Sequence, residues 1–157
     1  MTYELYSFHT DVKAEWVDHN NHMNDAAYNR VFSDATDSWL AFLGLDKEAI
    51  EQLCYTVFTL ENHVLFLKEM KLHEPVTVKV ALIDHDAKRL HAFMTMLNED
   101  NVKCATYEVM LMGIDTKNQR PSPFPEKIKS AINDYASKAD KHETPLEIGH
   151  KIEIIKK

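Results

Sequence analysis

Glycine is scarce in this chain, with three glycines among 157 residues. Phosphate-binding loops need several glycines at fixed spacing, and neither GxxxxGK[ST] nor GxGxxG occurs in the sequence. The two cysteines, Cys54 and Cys104, form no CxxC motif and are too few for a disulfide framework. Both lie in strand-like segments, so we expect them to be buried, unpaired thiols. These shortages exclude nucleotide-loop proteins and disulfide-rich secreted domains.

The chain also has fewer basic than acidic residues, and it lacks long apolar runs. The chain has 18 basic and 25 acidic residues, which gives a formal net charge of -7. Nucleic acids bind basic surfaces, so we expect no nucleic-acid partner. No apolar run approaches the length of about 20 residues that crosses a membrane, and no signal-peptide pattern opens the chain. We therefore expect one cytoplasmic domain over residues 1–157, with residues 144–157 forming a C-terminal tail.

The most distinctive segment is a polar run that leads directly into a helical pattern. Residues 18–25 read DHNNHMND and combine acids, imidazoles and amides. Apolar residues then recur at three- and four-residue spacing as far as Phe42, which predicts a helix with one face against a core. We expect Asn24 or Asp25 to cap this helix and Gly44 to end it. A buried helix therefore begins at a cluster of chemically reactive side chains.

Alternating apolar residues predict strands along much of the remaining chain. The expected elements are a first strand within residues 2–17, a helical turn at 46–53, strands at 54–69 (with a bulge), 76–84, 89–97 and 102–114, and a helix at 126–141. Consecutive strands joined by short turns pair antiparallel, and their apolar face needs a cover. This predicts an α+β hot-dog fold, in which an antiparallel β-sheet wraps around a long central α-helix. The tail, with alternating isoleucines, either adds an edge strand or lies over the surface.

Several motifs resemble those of a known family. The run D-x-x-x-H-M-N-x-x-x-Y at residues 18–28 resembles the signature of hot-dog acyl-CoA thioesterases of the 4-hydroxybenzoyl-CoA thioesterase-like superfamily. EWVD at 15–18, LGLD at 43–46 and DAKRLH at 86–91 resemble the betainyl-CoA thioesterase branch, which acts in carnitine breakdown. The resemblance extends from residue 10 to about residue 128. Asn21 replaces the usual glycine, and because Asn tolerates a left-handed backbone we expect the loop to keep its shape.

The resemblance implies a catalytic group at the helix start, made of Asp18, His22, Asn24 and Asp25. Asp18 matches the position of the family's catalytic acid, which either attacks the thioester carbonyl or activates a water. The first amides of the helix, from Asn24 to Ala26, carry the positive end of the helix dipole and would stabilise the oxyanion. We expect His22 to orient the loop or Asp18. Asp18, His19 and His22 are too loosely spaced for a metal site, and the family needs no metal or cofactor.

Four further residues are candidates for substrate binding. Tyr28 and Trp39 offer aromatic faces to a quaternary ammonium, although both also fit an ordinary core role. Glu61 and His63 share one face of a strand and could reach the helix start, either in their own subunit or across a dimer interface. The alternative for this pair is an ordinary exposed strand position. The resemblance implies hydrolysis of a short acyl-CoA, with betainyl-CoA as the leading substrate. Because the helix is covered on one side only, we expect a homodimer or homotetramer with the active site between subunits.

Two rival functions remain. A hot-dog hydratase also combines Asp, His and Asn, but its signature has four residues between Asp and His, whereas three separate Asp18 from His22 here. A non-catalytic acyl-CoA-binding regulator would share the fold. No DNA-binding helix pair precedes the domain, which argues against that alternative.

Overall fold

The computed structural model describes residues 5–139 and 144–156. Its elements in chain order are β1 (Tyr6–Asp11), a 3₁₀ turn (Ala14–Trp16), α1 (Asp25–Phe42), α2 (Lys47–Leu53), β2 (Tyr55–Phe66), β3 (Pro75–His85), β4 (Arg89–Leu97), β5 (Lys103–Asp115), β6 (Arg120–Pro121) and α3 (Glu126–Ala139). The beginning of the predicted first strand, the end of the predicted last helix and residue 157 of the tail lie outside the described residues.

The strands form one antiparallel sheet in the order β1-β3-β4-β5-β2, with the short β6 added to β5. This confirms the α+β hot-dog fold. The bulge expected in β2 is present between Thr59 and Glu61. The expectation that all consecutive strands pair is wrong for β2 and β3. The connection between them passes the start of α1, where the Met23 N–H donates to the Met70 carbonyl, and it carries the chain to the other side of the sheet.

Helix α1 packs on the inner face of this sheet. Phe32 stacks on Tyr107 of β5 with ring centroids 4.9 Å apart, and Val31, Phe32, Ala35 and Trp39 have no exposed surface. The helix keeps this face because its apolar residues follow the helical period. Asn24 caps the first turn, and Gly44, with a φ of 108°, follows the last residues of α1, as predicted. The core therefore lies between one helix and one curled sheet.

The tail crosses the outer face of the sheet, opposite α1. The Gly149 N–H donates to Glu108 Oε1 at 2.7 Å, and Lys103 Nζ lies 2.9 Å from Glu147 Oε1. Residues 144–156 contain no strand, so this segment lies over the surface. None of the helices in the part of the chain that the structure describes is long and apolar enough to span a membrane.

Candidate active site

A tight loop holds Asp18 directly in front of α1. The Asp18 N–H donates to the His22 carbonyl at 2.9 Å, and the Asn21 N–H donates to the Asp18 carbonyl at 3.0 Å. The carboxylate oxygen Oδ1 accepts from the backbone N–H groups of Asn20 (2.8 Å) and His22 (3.2 Å). Asn21 has a φ of 61°, which confirms the prediction that Asn takes the left-handed conformation usually given to glycine. The loop therefore fixes both the position and the orientation of the carboxylate.

The same hydrogen bonds set the charge of Asp18. The N–H groups of Asn20 and His22 lower the pKa of its carboxyl below the ordinary value, and nearby His19 and His22 add smaller contributions in the same direction. A donor that binds the ionised form favours that form. Asp18 is also exposed. It is therefore an accessible, ionised carboxylate at neutral pH, as a nucleophile or general base must be.

The first turn of α1 supplies a hydrogen-bond donor beside this loop. Asn24 Oδ1 accepts from the Ala27 N–H at 3.1 Å, the Asn24 N–H donates to the Trp16 carbonyl at 2.9 Å, and the Ala26 N–H donates to Asp25 Oδ1 at 2.9 Å. First-turn amides have no acceptor within their own helix. The Asp25 N–H is thus the amide left for a ligand at the positive end of the helix dipole. A carboxylate and an oriented amide donor together suit acyl transfer.

His22 contributes to the loop in two ways. Its backbone N–H holds Asp18, as described above, whereas its ring faces Glu69, with Nδ1 3.4 Å from Glu69 Oε2. Its backbone also forms an isolated bridge with Lys71. The ring thus connects the Asp18 loop to the segment after β2. Glu69 was not singled out from the sequence, because no motif links it to a residue that lies 47 positions earlier.

The two aromatic candidates lie at different distances from this site. Tyr28, in the first turn of α1, is 4% exposed, its hydroxyl accepts from the Met70 N–H at 3.1 Å, and its ring meets Phe66 edge-on. Trp39 is fully buried and packs edge-on against Tyr135 of α3 at 5.6 Å. Trp39 is also roughly 21 Å along the helix axis from Asp25. Both rings therefore belong to the core; Tyr28 lies in the first turn of α1, close along the chain to the helix start, whereas Trp39 is far from it.

Glu61 and His63 lie elsewhere in the same subunit. His63 pairs in register with Glu108, and its ring is 5.6 Å from that of His150 in the tail, on the face of the sheet opposite α1. Both residues line an outer cavity of about 320 Å³ that also contains His91, whose Nε2 is 2.7 Å from Glu108 Oε2. Within one subunit the pair does not meet Asp18. Among residues 5–139 and 144–156, no group of three His, Cys, Asp or Glu side chains is arranged to hold a metal ion.

A carboxylate beside an oriented amide at the start of the central helix is an arrangement suited to thioester cleavage. The family model of the thioesterase-like superfamily matches residues 12–132, and the chain belongs to that family. The betainyl-CoA thioesterase of Pseudomonas aeruginosa is 37% identical over 133 residues, which cover 84% of each chain. The L-carnitine dehydrogenase/betainyl-CoA thioesterase of Agrobacterium fabrum is 36% identical over 131 residues, 83% of this chain and 27% of that larger protein.

Solved structures of similar proteins agree with this family assignment. A hypothetical protein of Staphylococcus aureus, determined in complex with CoA, superimposes with a TM-score of 0.94 at 40% identity, covering 99% of this chain and 98% of that one. A candidate thioesterase of Pseudomonas putida superimposes with a TM-score of 0.85 at 29% identity, covering 98% of each chain. The protein is thus a hydrolase of the acyl-CoA thioesterase class.

Proposed function

We propose that this protein hydrolyses betainyl-CoA to betaine and CoA, with Asp18 as the catalytic carboxylate. The observation that carries the chemistry is the ionised Asp18 side chain, held by two backbone N–H groups immediately before α1. The choice of acyl group is supported by the two relatives named as betainyl-CoA thioesterases, one of which this chain matches over most of its length.

The mechanism follows from the charges that develop during thioester cleavage. The carbonyl oxygen becomes negative when a nucleophile adds, and the Asp25 N–H, at the positive end of α1, can donate to it. Asp18 either attacks the carbonyl carbon to give a mixed anhydride, which water then hydrolyses, or removes a proton from an attacking water. In both routes the carbon–sulfur bond breaks and the CoA thiolate leaves. His22 and Asn24 act by holding the loop and the helix start.

The free edge of β2 supports a homodimer. No strand covers this edge in the described ranges 5–139 and 144–156, and residues 58–62 are all exposed. Phe58 and Leu60 are 55% and 53% exposed. An uncovered apolar edge strand invites pairing with another chain, and a two-fold axis through the middle of this run would join two β2 strands antiparallel into one continuous sheet. Each active site then lies beside the neighbouring subunit.

A panel of acyl-CoA substrates tests this function. The assay follows free thiol release from betainyl-CoA, acetyl-CoA, butyryl-CoA and 3,3-dimethylbutyryl-CoA, the last of which has the shape of betainyl-CoA without its charge. We expect betainyl-CoA to have the highest kcat/KM. A higher value for an uncharged acyl group would refute the assigned substrate, and thiol release from none of the four would favour a protein that binds acyl-CoA without cleaving it.

A further inference from the structure

A second cavity opens at the other end of α1, between the helix, α2 and the start of β2. Its volume is about 410 Å³, within the range of small-molecule pockets. Much of its wall is apolar and is formed by Leu40, Ala41, Leu45, Ile50 and Val57. Three carboxylates, those of Asp37, Asp46 and Glu51, share this wall with a single cation, Lys47. The cavity thus combines apolar surface with an excess of negative charge.

Two of these carboxylates are free for a ligand. The Asp46 side chain caps α2 by accepting from the Ala49 N–H at 2.8 Å. Neither Asp37 nor Glu51 has a close ion-pair partner among the described residues; Arg30, which pairs with Asp34, attracts Asp37 from farther away. Although Asp37 is exposed overall, desolvation by its neighbours raises the pKa of its carboxyl, and the charge of Asp34 raises it further. A bound cation would offset the repulsion between Asp37 and Asp34.

The chemistry of the cavity selects one kind of cation. A trimethylammonium group cannot donate a hydrogen bond, so the structure that holds it needs contacts to the methyl groups and nearby negative charge. The apolar wall provides the first, and Asp37 and Glu51 provide the second. A primary ammonium or a guanidinium would instead require several well-placed acceptors around its N–H groups. The cavity therefore matches the end of a betainyl group.

The position of the cavity shows which subunit it serves. Asp37 is roughly 18 Å along the helix axis from Asp25, whereas the nitrogen of betainyl-CoA is only two bonds from the thioester carbonyl carbon. One subunit cannot hold both ends of such a group. In the dimer proposed above, with its axis at Leu60, Thr56 of one β2 lies opposite Val64 of the other. The cavity of one subunit, which Thr56 and Val57 line, then lies alongside the neighbour's Phe66, Tyr28 and helix start.

We propose that the cavity formed by Asp37, Glu51 and the apolar wall binds the trimethylammonium group of an acyl-CoA whose thioester lies at the helix start of the other subunit. This inference rests on the proposed function and on the dimer. Each active site thus takes its carboxylate and oxyanion donor from one chain and its selectivity for a positive charge from the other.

The test compares kcat/KM for betainyl-CoA with kcat/KM for the uncharged 3,3-dimethylbutyryl-CoA. Asp37→Asn and Glu51→Gln should each lower this ratio by about tenfold, because each removes a negative charge from the wall of the cavity that would hold the cation. Glu48→Gln removes a carboxylate from the same helix as Glu51 but outside the cavity, and the ratio should not change. Thermal melting of each variant shows whether the fold is retained.

The result separates the two proposals. A wild-type ratio near one would mean that the proposed function is wrong. A wild-type preference for betainyl-CoA that both Asp37→Asn and Glu51→Gln leave intact would overturn the cavity assignment while the function stands. Equal losses on both substrates would also overturn it, because Asp37 and Glu51 would then act on more than the charge.

Hybrid dimers test whether the cavity serves the other subunit. Asp18→Asn and Asp37→Asn chains with different affinity tags are co-expressed, and only dimers carrying both tags are purified. In the proposed arrangement, the intact Asp18 of one chain faces the intact Asp37 of the other, so the hybrid should recover the wild-type ratio. A hybrid that keeps the low ratio of the Asp37→Asn dimer would place the cavity and Asp18 in the same subunit and would overturn the inference.

Discussion

Asp18→Asn separates the charge of this residue from its role in the loop. The amide oxygen of Asn can still accept from the Asn20 and His22 N–H groups, so the loop should keep its shape, but Asn cannot attack a thioester or remove a proton. We expect kcat to fall on the order of 100- to 1,000-fold with little change in Tm. Assays of thiol release measure kcat, and calorimetry measures Tm. Asp134→Asn, which removes a carboxylate on α3, serves as the matched control.

The pH dependence of kcat/KM is a second test of the role of Asp18. The pKa of Asp18 is lowered in the folded protein, so its ionised form persists as the pH falls and is lost only below the ordinary value of 3.8. The contribution of Asp18 to kcat/KM should therefore be constant at neutral pH and decline below pH 3.8. If Asp18→Asn kept a turnover close to that of the wild type, Asp18 would not be the catalytic carboxylate.

At the level of single residues, the sequence predicted what lies within one contiguous run. The cap at Asn24, the left-handed Asn21 and the carboxylate before α1 all follow from local patterns. Contacts between distant segments did not follow, and the pairing of His22 with Glu69 is an example. A ring that could have bound a ligand, Trp39, became part of the core because α3 covers it. Such a contact depends on the fold and has no local signal.

The contact between β2 and β5 depends on one glycine. A Cβ at Gly113 would lie 1.7 Å from the Tyr55 hydroxyl, which donates to the Ser122 carbonyl at 2.7 Å. Gly113→Ala should therefore displace a buried ring and its hydrogen bond, and we expect the free energy of unfolding to fall by about 2–4 kcal/mol. Chemical denaturation measures the change.

Gly149→Ala is the comparison for this prediction. Nothing lies within 4 Å of the position of its Cβ, and its φ of 71° leaves only backbone strain. We expect a loss of about 1 kcal/mol. Equal losses at the two glycines would mean that the close approach of Tyr55 does not restrict position 113.

At the level of elements, periodicity located the strands but not their order. The hairpins that join β3, β4 and β5 follow from short polar turns, whereas the placement of β2 beside β5 depends on how residues 67–74 cross the start of α1. Cys54 shows the same limit. It was expected in a strand, but it caps α2 with a φ of 51° and is partly exposed, because α2 ends against the beginning of β2. Cys104 is buried, as predicted.

At the level of the whole molecule, the exposed edge of β2 supports the proposed dimer. The sequence indicated a dimer because the helix is covered on one side only. The structure shows which surface would form the interface, namely the edge of β2 that is unpaired within the described residues. Phe58 and Leu60 are apolar and exposed at the free edge of β2, where a monomer would leave backbone hydrogen-bonding groups open to solvent. The role expected for Glu61 and His63 in a neighbouring site stays a prediction. In their own subunit they lie on the outer face, beside the tail.

Leu60→Lys tests the dimer and its part in catalysis together. Leu60 lies at the centre of the exposed run, so a two-fold axis there would bring two lysines close to each other, and like charges across an interface cost several kcal/mol. We expect the dimer dissociation constant to rise by at least about 100-fold. Sedimentation equilibrium should then show folded monomers at micromolar concentration. Turnover should fall with dissociation and recover in part at high protein concentration, because each active site needs its neighbour. The control is Ile152→Lys, which places the same charge on the exposed tail and should remain dimeric and active. A Leu60→Lys protein that stays dimeric with full activity would show that the β2 edge is not the interface, and a fully active wild-type monomer would end the dimer proposal altogether.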